Sequence, residues 1–174
     1  GLAGSGDDLN GVGGLLAIVC RDSAGTVARV YLTVADHRGD IRLLVDAATG
    51  ATAAEFAYAP FGGLIGDRMT SECRAWLGES GPRSAGKWYD AATGLYDFGY
   101  RWYNPATGKW LSRDPLGESA SLNLLCYCLN DPINLVDPDG LRWWNPATRD
   151  FFVRRGTGGG GRAVVKGVKL GVKS

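Results

Sequence analysis

Two Asp-Pro-x-Gly motifs are the positions at which this sequence could do chemistry. The first is Asp114-Pro115-Leu116-Gly117 and the second is Asp137-Pro138-Asp139-Gly140. Asp-Pro forms turns, because the carboxylate accepts backbone N–H groups, proline presets φ and the following glycine tolerates positive φ. The motifs therefore predict two turns, and they leave open a second interpretation in which Asp114 and Asp137 meet as a pair of carboxylates.

Such a pair would have useful acid–base properties. Two carboxyl groups held close together cannot both ionise easily, so one keeps a proton at a pH at which the other is a base. The pair can then activate water and protonate a leaving amine. Arg113, next to Asp114 in the chain, is a candidate to stabilise charge or to lower one pKa. Asp131 and Asp139 are further candidates for the pair, since sequence alone does not rank carboxylates by distance.

The elements that would position these residues are short strands separated by turns. Apolar and other residues alternate through Thr26–Ala35, which is the period of a half-buried strand. The turn sequence Asp-Ala-Ala-Thr-Gly occurs at 46–50 and again at 90–94, and similar Asn-Pro-Ala-Thr turns begin at Asn104 and Asn145. Such self-similarity is typical of repeat architectures, in which hairpins stack on their neighbours. The sequence predicts a mainly β fold of antiparallel hairpins with little helix.

The segment Leu95–Tyr103 is predicted to be one strand with an aromatic face. Every second residue carries a ring, namely Tyr96, Phe98, Tyr100 and Trp102. Aromatic residues aligned in this way favour a core position, because cross-strand aromatic pairs stabilise a sheet. A ligand-stacking platform is the alternative, and it would make the chain a surface- or carbohydrate-binding β module.

Composition divides the chain unevenly. Residues 142–174 carry eight Lys or Arg and a single acid, whereas residues 1–141 carry eleven Lys or Arg and seventeen acids. This shift predicts a boundary near Leu141. The segments expected along the chain are a Gly-rich linker with a first short strand (1–25), repeat-like strands (26–63), an irregular excursion (64–86), a core (87–141) and a basic tail (142–174). A short helix is predicted inside the excursion, within 67–77.

The four cysteines do not have the spacing of a metal or redox site. Cys126 and Cys128 are predicted to share one face of a strand as small apolar residues, and Cys20 and Cys73 are far away in the chain. We therefore expect neither a metal nor a cofactor. The sequence has no run of 18 apolar residues and does not begin with the basic region of a signal peptide. Gly1 is interpreted as a cut inside a longer chain.

The tail shows two kinds of sequence. The aromatic pairs at 143–144 and 151–152 predict one more hairpin, and Gly156–Gly161 predicts a flexible linker. A short basic helix within Ala163–Lys173 is one alternative and would suit nucleic acid or an anionic surface. A disordered or truncated remnant is the favoured interpretation, so nucleic acid is not an expected partner.

Residues 26–141 carry motifs in the order and spacing of a known family. Tyr89–Pro105, Gly108–Gly117 and the turns from Asn130 to Gly140 resemble the Rhs repeat-associated core of YD-repeat (Rhs) proteins. Upstream, Asp36–Asp40 together with Tyr58–Gly62 looks like one degenerate YD repeat. The resemblance implies strands that wind into a hollow β-shell, with a core that plugs one end of it.

The resemblance also implies a function. Rhs proteins enclose or present a variable C-terminal tip, often a toxin, so the expected partners are the rest of the protein's own shell, that tip, and a secretion apparatus or target-cell surface. The implied location is extracellular or at the cell surface. In several members the core is an aspartyl autoprotease. By correspondence of motifs Asp114 and Asp137 would be its carboxylates, Arg113 the basic residue, and Leu141 the residue before the cut.

Overall fold

The structure is a computed structural model that describes residues 14–117, 123–145, 150–153 and 163–165. Over these residues it contains two five-stranded antiparallel sheets, one three-stranded antiparallel sheet and one α-helix. The prediction of a mainly β fold of antiparallel hairpins with little helix is therefore confirmed.

The first sheet follows the chain without a crossover. Its strands pair in sequence order and are β1 (Ala17–Arg21), β2 (Val27–Ala35), β3 (Ile41–Asp46), β4 (Thr52–Tyr58) and β5 (Leu64–Met69). One face is buried and includes Tyr31, Leu44 and Phe56. Helix α1 (Ser71–Leu77) adds the fully buried Cys73 to that core. The period-two alternation is kept in β2, but Tyr31 lies on the buried face, whereas Leu32 and Val34 of the alternating apolar set are 46 % and 45 % exposed on the other.

The second sheet is built from shorter strands around aromatic rings. Its strands are β6 (Gly81–Pro82), β7 (Trp88–Asp90), β8 (Leu95–Asp97), β9 (Trp102–Asn104) and β10 (Lys109–Trp110), again paired in chain order. Rings of Phe98 and Trp110 pack edge to face with centroids 5.0 Å apart, and those of Tyr103 and Tyr127 lie 4.2 Å apart. Burial of these rings stabilises strands of only two or three residues.

The sequence suggested that residues 64–86 form an irregular excursion from the sheet, but the structure keeps both ends of this segment within the sheets. The segment begins with β5, which pairs with β4, and ends with β6, the edge strand of the second sheet. The predicted helix within 67–77 starts only at Ser71, because the Thr70 side chain caps it by accepting the N–H of Cys73 at 3.1 Å. This segment connects the two sheets.

The expectation of one strand from Leu95 to Tyr103 is wrong. Gly99 has a φ of +96°, and the N–H of Phe98 donates to the carbonyl of Arg101 at 3.1 Å, so the chain turns between β8 and β9. The turn shifts the alternation of side chains. Tyr96 and Phe98 are buried, whereas Tyr100 is 65 % exposed and Trp102 is 42 % exposed. The four rings consequently do not form one stacking face.

A loop between β4 and β5 is held by the second sheet. The carbonyl of Phe61 accepts the phenol O–H of Tyr103 at 2.8 Å, and the carbonyl of Gly62 accepts that of Tyr96 at 2.9 Å. Both tyrosines are almost fully buried. Polar atoms of one sheet are thus satisfied by a loop of the other.

A buried carboxylate makes a second connection between the sheets. Asp40, 1 % exposed, accepts hydrogen bonds from the Ser84 hydroxyl at 2.7 Å and from the N–H of Ala85 at 2.8 Å. Arg38 forms a salt bridge to its other oxygen at 2.8 Å. The charge of Asp40 is therefore fully compensated at the junction.

Cys126 and Cys128 do not share one face of a strand, contrary to the prediction. Cys126 makes an isolated bridge with Lys109, and Cys128 begins a 3-10 turn, Cys128–Asn130, in which all three residues have positive φ. This left-handed path replaces the expected strand. The cysteines are all free thiols. Within the described part of the chain no His, Cys, Asp or Glu cluster could hold a metal ion, and no helix is long and apolar enough to cross a membrane.

The third sheet lies in the basic tail. It contains β11 (Trp144–Asn145), β12 (Asp150–Val153) and β13 (Ala163–Val165), and Trp144 pairs with Phe151 as the predicted hairpin requires. Strand β13 replaces the start of the basic helix considered for 163–173, and the rest of that segment is outside the described residues. The Gly-rich linkers at 1–13 and 156–161 are also outside them.

Candidate active site

Each motif aspartate uses one carboxylate oxygen to build its turn. Oδ1 of Asp114 accepts the N–H of Leu116 at 2.8 Å, and Oδ1 of Asp137 accepts the N–H groups of Asp139 at 3.3 Å and Gly140 at 2.8 Å. These are hydrogen bonds of Asx turns, which the sequence predicts. The other oxygen of each carboxylate remains available for a different partner.

The two remaining oxygens meet at one arginine. Nη2 of Arg101 lies 3.0 Å from Oδ2 of Asp114 and 3.5 Å from Oδ2 of Asp137. Because both distances start from the same nitrogen, the separation of the two Oδ2 atoms cannot exceed the sum of the two distances. All three side chains are buried, with 3 % of Arg101, 6 % of Asp114 and 3 % of Asp137 exposed. The structure thus brings the two motif carboxylates together.

Arg101 is held in place on several sides. Its guanidinium lies 4.1 Å from the centre of the Trp110 ring, a cation–π contact. Nε donates to the carbonyl of Gly140, and Nη1 donates to the carbonyl of Leu124 at 3.4 Å. The turn at Gly99 directs Arg101 inward. Its orientation is therefore fixed by packing before either carboxylate is considered.

Sequence analysis did not identify Arg101 and named Arg113 as the candidate basic residue instead. Arg113, the basic residue next to Asp114, is exposed, and the salt bridges of the described residues assign both carboxylates to Arg101. Neighbouring side chains in an extended chain point in opposite directions, so a sequence neighbour of a buried aspartate faces solvent. The available signal was Gly99, because a glycine inside a strand pattern often marks a bulge or bend.

The other two candidate carboxylates make different contacts. Asp131 accepts the side-chain amide of Asn134 at 2.9 Å and forms its own turn. Asp139 accepts the N–H of Leu141 at 2.9 Å. Neither forms a salt bridge with Arg101. The pair that Arg101 joins is thus Asp114 with Asp137.

Burial sets the protonation of Asp137. Loss of hydration raises its pKa from about 3.8 to about 6, while the N–H of Gly140 and the charge of Arg101 oppose the rise and the charge of Asp139 adds to it. Burial also lowers the pKa of Arg101, against the charges of Asp114 and Asp137. Asp137 can therefore take up or give up a proton near pH 6, which suits a general acid or base.

Two neighbouring side chains stay neutral. Burial raises the pKa of the Tyr127 phenol and of the Cys128 thiol, and the negative charge of Asp137 contributes in both cases. A thiol in such surroundings is a poor nucleophile, because the thiolate is the reactive form. The acid–base capacity of this site therefore resides in the carboxylates.

The backbone after the second motif passes directly beside Asp137. The amide nitrogen of Leu141 lies 3.2 Å from Oδ1 of Asp137, and the carbonyl carbon of Leu141 is two bonds farther along the chain. Arg142 is exposed. The Leu141–Arg142 peptide bond thus belongs to the residue whose amide contacts Asp137.

Comparisons with known proteins connect the chain to toxins. It is 38 % identical over 99 residues to the toxin subunit YenC1 of Yersinia entomophaga, which covers 53 % of this chain and 9 % of YenC1. It is 36 % identical over 121 residues to the uncharacterized protein YibJ of Escherichia coli K12, covering 69 % and 49 %. The Photorhabdus luminescens Tc holotoxin pore has a similar fold, with a TM-score of 0.65 and 32 % identity over 75 % of this chain and 6 % of that one.

No family model matches the chain. The chain spans less than a tenth of YenC1 and about half of YibJ. Its similarity to toxin subunits holds for both sequence and fold.

Proposed function

We propose that this chain is the core segment that closes the β-shell of a Rhs-type toxin component and encloses or presents the tip that follows it. Similarity to YenC1 and to the Tc holotoxin pore supports this role. The rest of such a shell and the tip would be its partners. The protein would act outside the producing cell or at a cell surface, as its similarity to toxin subunits suggests.

One structural observation carries this proposal. The face of the first sheet that points away from helix α1 is apolar across three strands, with Ala17 and Val19 on β1, Val30, Leu32 and Val34 on β2, and Leu43 and Val45 on β3. Leu32 and Val34 are 46 % and 45 % exposed. Among the described residues β1 is also an edge strand, with a partner strand on one side only. An apolar face beside an open edge favours a segment that is completed by further structure.

A chimera tests the shell role. Residues 26–141 would replace the matching residues of YenC1, and protection of the following C-terminal region from an added protease would be measured. We expect protection comparable to that in YenC1 itself. The control is the same chimera with Leu32→Asp and Val34→Asp, which places charge on the apolar face and should reduce protection. Rapid digestion of the tip in the unmodified chimera would contradict the proposal.

A second candidate function is self-cleavage between Leu141 and Arg142. The observation that favours it is the contact of both motif carboxylates with Arg101, beside the backbone of Leu141. An intramolecular bond is held at high effective concentration, so modest catalytic groups are sufficient for one turnover.

The cleavage step balances with these groups alone. An ionised carboxylate takes a proton from water as the water oxygen attacks the Leu141 carbonyl carbon. Arg101 keeps the charge of the pair compensated. The C–N bond then breaks, and the protonated partner, a role that suits Asp137, gives its proton to the leaving nitrogen of Arg142. The products are a chain ending in the Leu141 carboxylate and a chain beginning with the Arg142 amine.

Intact-mass measurement tests self-cleavage. The purified chain would be incubated at pH 5 to 7, and we expect a fragment that begins at Arg142. Asp114→Asn and Asp137→Asn should abolish it. The matched control is Asp131→Asn, since Asp131 also precedes a proline and forms a turn but does not contact Arg101. An uncleaved wild-type chain would contradict self-cleavage while leaving the shell role in place.

A further inference from the structure

We propose that Asp139 is a positioning residue for this cleavage, because its carboxylate fixes the amide of Leu141 and thereby aligns the Leu141–Arg142 bond. The inference rests on the proposed self-cleavage. It concerns a carboxylate that lies outside the pair joined by Arg101.

The N–H of Leu141 has two carboxylate acceptors. Oδ1 of Asp139 lies 2.9 Å away and Oδ1 of Asp137 lies 3.2 Å away, so the shorter contact belongs to Asp139. The backbone of Asp139 is itself anchored, since its carbonyl accepts the N–H of Tyr100 at 3.3 Å. The acceptor is consequently attached to the second sheet, close to β8 and β9.

Asp137 alone is poorly suited to hold this amide during the reaction. Its Oδ1 already accepts two other N–H groups, those of Asp139 and Gly140. A carboxyl group that gains a proton becomes a weaker hydrogen-bond acceptor, because charge-assisted hydrogen bonds are the stronger ones. Asp139 lets Asp137 change its protonation without releasing Leu141.

The residue between Asp139 and Leu141 is fixed as well. The carbonyl of Gly140 accepts a hydrogen bond from Nε of Arg101. Gly140 has a φ of +84°, and a Cβ at this position would lie 3.3 Å from Cβ of Phe98. Asp139, Gly140 and Leu141, the three residues before the scissile bond, are thus each held by a hydrogen bond. The carboxylate of Asp139 accepts the one made by Leu141.

Two substitutions at one position separate positioning from charge. Asp139→Asn keeps an oxygen acceptor for the Leu141 amide, whereas Asp139→Ala removes it. We expect Asp139→Ala to slow cleavage roughly 10-fold, as loss of one charge-assisted hydrogen bond predicts, and to add cuts at neighbouring bonds. Asp139→Asn should cleave at Leu141 alone, within about threefold of the wild-type rate. Rates would be compared across pH 4 to 8, with mass spectrometry identifying each bond that is cut.

The outcomes distinguish this inference from the proposal beneath it. If wild type cleaves and Asp139→Ala cleaves the same bond at the same rate, only the positioning role is overturned. Equal slowing by Asn and Ala would also overturn it, because the charge rather than the acceptor would then matter. An intact wild-type chain overturns self-cleavage and the positioning role together. Urea unfolding of both variants checks that slowing is not a loss of folded protein.

Discussion

Two buried arginines, one in each sheet's core, show how differently the two regions use a charge. Over the whole residue, Arg83 is 2 % exposed and Arg101 is 4 % exposed. The guanidinium of Arg83 lies 4.2 Å from the centre of the Phe56 ring, and that of Arg101 lies 4.1 Å from the centre of the Trp110 ring. Burial lowers the pKa of both. In burial and in ring contact they are nearly equivalent.

Their polar partners differ. Arg83 donates to the carbonyls of Pro82 at 2.9 Å and Glu79 at 3.4 Å, its Nε has no hydrogen-bond partner, and no salt bridge joins it to a carboxylate among the described residues. Arg101 joins Asp114 and Asp137. The first region therefore uses an arginine as a packed side chain. The second uses one to hold two carboxylates out of water, and this is where acid–base chemistry becomes feasible.

The largest expected effect follows from removing each arginine. Arg101→Met would leave two buried carboxylates without their cation and should lower the free energy of unfolding at pH 7 by about 3–5 kcal/mol. Arg83→Met leaves no buried partner charge, so its cost should be about 2 kcal/mol or less, mainly the lost cation–π contact. Urea-induced unfolding measures both.

Equal losses of unfolding free energy in the two methionine variants would contradict the proposed difference between Arg83 and Arg101. The comparison is sharpened by repeating the measurement at pH 5, where protonation of Asp137 should reduce the deficit of Arg101→Met. The deficit of Arg83→Met should not change with pH over the same interval.

The next effect is the pH dependence that Asp137 brings to its region. A carboxyl group with a raised folded-state pKa stabilises the fold below its unfolded pKa, and this contribution is lost as pH rises through the folded pKa. The pKa of Asp137 is raised to about 6. Relative to Asp137→Asn, wild type should lose up to about 1.4 kcal/mol per pH unit between about pH 4 and 6. Parallel profiles would show that Asp137 is not buried as described.

A smaller effect is expected from two matched glycines. Gly94 and Gly140 have φ of +73° and +84°. No atom of the described residues lies within 4 Å of a Cβ at Gly94, whereas one at Gly140 would meet Phe98 and Arg101 at 3.3 Å. Gly94→Ala should cost about 1 kcal/mol for the left-handed backbone alone. Gly140→Ala should cost about 2–3 kcal/mol because crowding is added. Thermal unfolding compares them, and equal costs would mean that the second motif packs loosely.

The smallest effect concerns the arginine that the sequence suggested. Arg113→Ala should change the unfolding free energy by no more than about 0.5 kcal/mol, as expected for an exposed side chain. Its cleavage rate should match wild type. A loss comparable to that of Arg101→Met would restore Arg113 as the partner of Asp114.

Local sequence was sufficient for much of the fold. The turns at Asp114 and Asp137 follow from Asp-Pro chemistry, and the strand β2 follows from alternation between residues 26 and 35, although its buried face carries Tyr31 and leaves Leu32 and Val34 exposed. The meeting of Asp114 with Asp137 was one of several arrangements that the residues allowed. The turns and the strand depend on neighbours a few residues apart, which a single sequence displays directly, whereas the meeting of the two carboxylates depends on tertiary packing.

The arginine of the site could not be predicted in the same way. Arg101 is buried because the chain turns at Gly99. Its side chain then donates to the carbonyl of Gly140 and packs on the ring of Trp110. A continuous strand would have placed Arg101 opposite the rings, in solvent. The same turn exposes Tyr100, which alternation assigned to the core. The wrong expectations for Arg101 and Tyr100 both follow from the positive φ of Gly99. The residues that this turn brings into contact are distant in sequence.

The loop at residues 59–63 makes the stability of one sheet a property of the other. Its carbonyls at Phe61 and Gly62 are satisfied by the phenols of Tyr103 and Tyr96, which belong to the second sheet although the loop links two strands of the first. Neither sheet can separate from the loop without leaving buried polar groups unpaired, at a cost of about 1–3 kcal/mol for each group. Heating should therefore melt both sheets in one cooperative transition, with calorimetric and van't Hoff enthalpies that agree.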